Sequence, residues 1–111
     1  MQSVTIVSPK VSRSIGTAFV QVGGYSPASG GAIVSGLSVC NTSGSSVNVT
    51  VTVFDGANDT NLTFATPCAV GDTLLLGADW FKFTLVAGWS IRVKSSAVTS
   101  VDVAMFVSEF T

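Results

Sequence analysis

Histidine is absent from these 111 residues. That gap removes the usual general base, the commonest metal ligand and the imidazole of every Ser-His or Cys-His arrangement. Charge is scarce as well: Lys, Arg, Asp and Glu make up 10% of the chain, against roughly 25% in an average soluble domain. The formal net charge is −1. A neutral surface of Ser, Thr, Gly and Asn does little to keep copies apart, so this composition suits a chain whose surface lies against other protein.

Long apolar runs are missing too. No stretch approaches the roughly 18 apolar residues that suggest a membrane span. The opening MQSVTIVSPKVSRS lacks the basic start and apolar run of a secretory signal. The expectation is therefore no membrane association and assembly in a cytoplasm. There Cys40 and Cys68 are expected to be free thiols. The N-x-[ST] matches at Asn41, Asn48, Asn58 and Asn61 are then chance products of an Asn- and Thr-rich chain.

What the chain does have is period-two alternation, the mark of a half-buried strand. In SVNVTVTVF, Val47, Val49, Val51 and Val53 share one face and Asn48, Thr50 and Thr52 the other. In SVDVAMFVSEF, Val101, Val103, Met105 and Val107 face one way while Asp102, Ala104, Phe106 and Ser108 face the other. Further strands are expected over Thr17 to Val22, Ala32 to Asn41, Thr73 to Leu76, Phe81 to Val86 and Ser90 to Lys94. The turn cluster Asp55 to Asn61 closes a hairpin whose returning arm carries Leu62 and Phe64. No window has the i, i+3, i+4, i+7 spacing of a helix, and the β-branched clusters lose less side-chain freedom in strands.

About eight short strands separated by turns predict an all-β, single-domain antiparallel sandwich, jelly-roll-like, over residues 1–111. Residues 1–16 read as an edge strand or an arm reaching onto a neighbour. The phrases AVGDTLLLGAD and VAGWSIRVKSS echo each other, and Gly71 and Gly88 explain why: a glycine before each strand permits a sharp turn with positive φ.

The chemistry-bearing residues are few. Six acids, Asp55, Asp59, Asp72, Asp79, Asp102 and Glu109, lie in turns or on solvated positions, which is poor material for a glycosidase pair. The oxygen-rich DGANDTN lacks the spacing and closing Glu of an EF-hand loop. GGYSPASGG leads into a strand and has no Lys-[ST] ending, so it offers no phosphate cradle. Lys82, Arg92 and Lys94 stand near Trp80, Phe81, Phe83 and Trp89, as in an oligonucleotide-binding barrel, yet the net negative charge argues against nucleic acid. The expectation is a non-enzyme with no cofactor and no metal, whose business is protein contact. Val4, Ile6, Tyr25, Trp80 and Trp89 are the candidate interface residues, because Trp and Tyr anchor interfaces and an N-terminal strand can add to a neighbouring sheet. If Trp80 and Trp89 shared one face beside the acids, they would instead form a sugar-binding platform.

Residues 69–110, AVGDTLLLGADWFKFTLVAGWSIRVKSSAVTSVDVAMFVSEF, have a glycine-led strand, an I-x-V-K-S-S strand and a final V-D-V strand with an acidic-apolar tail. This phrasing resembles small virion proteins of tailed bacteriophages, in particular the decoration (cement or stapling) proteins of short-tailed phages such as epsilon15. The resemblance implies a structural protein on the outer surface of an icosahedral capsid. It would be a homodimer or trimer there, clamping neighbouring major capsid subunits without catalytic residues. A neck, tail or fibre module, or a carbohydrate-binding sandwich, would share the composition.

Overall fold

A computed structural model describes residues 4–7, 9–27, 30–76 and 83–110. Ten strands are present: β1 (Val4–Ile6), β2 (Lys10–Ile15), β3 (Val20–Gln21), β4 (Ala32–Asn41), β5 (Val47–Phe54), β6 (Asp59–Cys68), β7 (Thr73–Leu76), β8 (Phe83–Leu85), β9 (Ser90–Ser95) and β10 (Val101–Phe110). One 3-10 turn, Val22–Gly24, is the helical content of the described residues.

The strands form two antiparallel sheets packed as a sandwich. One has the order β1-β10-β4-β7, with β2 also pairing β10 and β8 also pairing β4; the other has the order β3-β9-β5-β6. β10 and β4 are each long enough to take two partners end to end. Its Ser108–Phe110 end receives β1 and its Val101–Met105 end receives β2. In the same way β4 receives β7 at Leu37–Cys40 and β8 at Ala32–Val34. With each such pair in a single row, ten segments occupy eight rows. Their order, with β2, β10, β4 and β7 in one sheet and β3, β9, β5 and β6 in the other, is that of a jelly roll. Backbone pairing of Val4 with Phe110 makes the N-terminal segment an edge strand of its own domain.

The alternating residues make the core. Val101, Val103, Met105 and Val107 of β10 and Val34, Leu37 and Val39 of β4 are buried against Val47, Val49 and Val51 of β5 and Ile91 and Val93 of β9. Asn41 is the polar pin at one end of this core. Its side-chain amide donates to the carbonyls of Ser45, Cys68 and Ala69, and its Oδ1 accepts from the N–H and hydroxyl of Ser43. The β4–β5 and β6–β7 turns, both crossing between the sheets, are thereby tied to one buried side chain.

The expected turns at Gly71 and Gly88 are present. Asp72 N–H bonds to Ala69 C=O and Trp89 N–H to Val86 C=O, both at 3.0 Å, with the third residue of each turn a glycine at φ 75° and 85°. A side chain at either would meet open space, so the requirement is conformational rather than steric.

Several strand boundaries differ from expectation. The Thr17–Val22 segment pairs only at Val20–Gln21, and β6 begins at Asp59, inside the expected turn. Asp55 makes that early start possible: its carboxylate accepts from the N–H groups of Asn58 and Ala57, closing the turn by Asn58 and holding its pKa below the usual range. Thr50 and Thr52, expected on a solvent face, are buried, because β6 and Arg92 cover them. Pro67 is accommodated because β6 is an edge strand.

Candidate functional site

Among the described residues no second layer covers the outer face of either sheet, and the two faces are built differently. On the six-stranded sheet, residues directly opposite one another form the row Val11, Ala104, Ser38, Leu75, crossing β2, β10, β4 and β7. Val11 is 50% exposed and Leu75 65%. In the next row Phe106, 46% exposed, lies opposite Gly36, whose missing side chain leaves room for the ring. A β-bulge there reverses the facing of β4, so Val34 and Leu37 both point into the core. Beside this apolar strip a groove is lined by Val11, Arg13, Ser38, Cys40, Asp102 and Ala104. Asp102, expected to be a free outward acid, accepts the N–H of Ser14 at 2.9 Å and so stabilises a second irregularity, where Ser14 has φ 55°.

The four-stranded sheet presents cations and rings. The Arg92 guanidinium lies between two aromatic faces, 5.0 Å from the Phe19 centroid and 4.5 Å from that of Phe54. It also pairs with Asp59 at 3.5 Å, and Asp59 accepts from Thr52 at 2.7 Å. Lys94 stands 4.7 Å from the centroid of the same Phe19 ring. Arg92 and Lys94 therefore find aromatic partners as expected, but these are Phe19 and Phe54. Cross-strand pairing supplies them: Thr52 is opposite Arg92 and Phe54 opposite Ser90. A concavity of about 330 Å³ opens beside Lys94, between β5, β6 and β9.

The five expected interface residues are scattered. Val4 and Ile6 pair through their backbone with Phe110 and Ser108. Tyr25 is turned inward: it is 9% exposed, and its hydroxyl donates to Glu109. Burial first, then that bond and the carboxylate charge, push its pKa well above the usual tyrosine value. Trp89 is 37% exposed at the β8–β9 turn, where its carbonyl accepts from Ser26. Trp80 lies outside the described residues, as do Phe81 and Lys82. Neither Tyr25 nor Trp89 lines the concavities that hold Val11, Leu75, Phe106 and Phe64. Sequence reading missed those four because they fall within otherwise ordinary alternation.

Four of the six carboxylates are committed to structure: Asp55 to its turn, Asp59 to Arg92, Asp102 to Ser14 and Glu109 to Tyr25. Asp55 and Asp59, at the two ends of this turn, hold separate partners. No group of three or more potential metal-ligating His, Cys, Asp or Glu occurs among the described residues. Cys40 and Cys68 are unpaired, the latter buried. No helix among the described residues is long and apolar enough to cross a membrane.

No protein-family profile matches the chain, and no curated protein does. Solved structures do. A protein of the Bacillus endospore appendages, which form disulfide-linked pili, superposes with a TM-score of 0.59 at 14% identity, over 96% of this chain and 89% of its own. A protein from the acid-stable capsid of Helicobacter pylori bacteriophage KHP30 superposes with a TM-score of 0.54 at 11% identity, over 100% and 94%. The shared property is the fold. One of these proteins belongs to a filament and the other to a virion.

Proposed function

We propose that this chain is a non-enzymatic structural subunit of a virion. It binds the outer surface of an icosahedral phage capsid as a decoration protein, as a homodimer or trimer, and clamps neighbouring major capsid subunits. The observation that carries this reading is the uncovered face of the six-stranded sheet. Val11, Leu75 and Phe106 lie exposed there among Ala, Ser and Gly, with Arg13 and Asp102 as the charges of the adjoining groove. A flat apolar face with little charge loses little hydration on docking, and many weak contacts around one shell add to a high avidity. The phrasing of residues 69–110 and the jelly-roll likeness to a capsid protein favour a shell location. Likeness to a pilus protein keeps a filament or tail location as the second reading.

Copy number in purified particles of the parent virus, measured by quantitative mass spectrometry against the major shell protein, tests it. Near parity supports the clamp, a few copies per particle move the chain to neck or tail, and absence from particles overturns the virion reading. Leu75→Asp in the same assay is expected to strip the protein from particles while the free chain remains folded.

A further inference from the structure

We propose that the concavity on the four-stranded sheet is a binding site for glycans carrying acidic sugars, separate from the face that docks on the assembly. It is built around a distortion of β6. Val49 is opposite Thr66 and Val51 opposite Thr63, so Phe64 and Ala65 together face the single residue Thr50. Ala65 takes φ 47°, a left-handed conformation that an alanine adopts at a cost. The bulge is held in place by side chains: Ala65 N–H donates to Thr50 Oγ1 at 3.0 Å and Val51 N–H to Thr63 Oγ1 at 3.2 Å. Bulges re-aim side chains, and this one leaves Phe64 72% exposed at the wall of the concavity.

The rest of the site is polar and converges on the same space. Thr17, Asn48, Lys94 and Ser96 line it with Phe64. Asn48 and Ser96 are fixed to one another, N–H of each to oxygen of the other at 2.9 Å, which holds this wall in place before any ligand arrives. Hydroxyl, amide and ammonium groups beside an exposed ring are what a sugar needs: the ring takes the C–H face and the polar groups take the hydroxyls. Lys94 adds a preference for a carboxylate. Among the described residues it makes no ion pair, whereas its neighbour Arg92 is matched by Asp59. At about 330 Å³ the concavity lies at the lower end of the range of small-ligand sites, about 300 to 1,000 Å³, and suits a short stretch of glycan. Single-stranded nucleic acid is disfavoured. Phe19 and Phe54 already have cations against their faces, which leaves Phe64 as a lone platform beside Lys94, in a chain of net charge −1.

The free full-length protein is tested on an array of neutral, sialylated and uronate-bearing oligosaccharides that includes an oligothymidylate. Hits are then titrated calorimetrically with wild type, Phe64→Ala, Lys94→Gln and, as a control, Val70→Ser at an exposed turn that does not line the concavity. The expected result is binding of acidic oligosaccharides. Phe64→Ala and Lys94→Gln should each weaken it about tenfold or more, roughly the worth of one good contact, with unchanged melting temperature, and Val70→Ser should leave it intact. No glycan bound, binding indifferent to both substitutions, or binding confined to the oligothymidylate would overturn the proposal. Equal binding of neutral glycans with no effect of Lys94→Gln would overturn the acidic-sugar assignment. None of these readouts involves the particle, so they stand apart from the test of the clamp.

Discussion

The two outer faces of the sandwich rest on the same valine-rich core and are finished in opposite ways. On the six-stranded sheet the large exposed side chains, Val11, Leu75 and Phe106, are held by no side-chain polar contact, and small residues fill the space between them. On the four-stranded sheet Arg92 is stacked between Phe19 and Phe54 and paired with Asp59, while Phe64 projects into solvent. One face suits a protein partner that brings its own shape. The other is already organised and has a defined place for a small group. A face can therefore be open because it awaits a partner, or internally satisfied except at one spot.

Substitutions that break or sharpen this contrast rank by their effect on stability. Met105→Ala, at a side chain with no exposure beneath both faces, should cost about 2–5 kcal/mol and abolish both faces together, read by chemical denaturation. Arg92→Ala should cost about 1–2 kcal/mol, since two ring contacts and a partly buried ion pair go together; particle binding should be untouched. Tyr25→Phe should cost about 1 kcal/mol at neutral pH, through loss of the bond to Glu109. It should also flatten the alkaline limb of stability. The Tyr25 pKa is raised in the folded state, so its contribution is complete below the unfolded value near 10 and drains away as pH climbs above it. Wild type should lose melting temperature above about pH 10 more steeply than Tyr25→Phe. Leu75→Ser should change stability by less than about 0.5 kcal/mol and still reduce retention on particles, which would separate the docking face from the fold.

Much of the fold was legible because β-branched alternation reports burial directly. The valines of β5 and β10, the full extent of β4 and the two glycine turns at Gly71 and Gly88 all follow from it. What alternation could not report was its own interruption. Gly36 inside β4 was the one visible hint of a bulge. Ala65 carries no such hint, since its left-handed φ is imposed by hydroxyls on Thr50 and Thr63 that come from pairing across the hairpin. For the same reason the exposed ring of Phe64 was invisible in sequence, while the inward turn of Tyr25 depended on Glu109, 84 residues away. Rings were sought among the tryptophans, where interface statistics place them; long-range register decided the matter instead.

β10 lies inside its sheet and pairs with β1, β2 and β4, bringing together segments that are far apart in sequence. The row from Val11 to Leu75 exists only once Ala104 bridges β2 and β4, so this outer face has no local precursor. Forming it and closing the sheet are one event, reached through long-range pairing that is slow to nucleate.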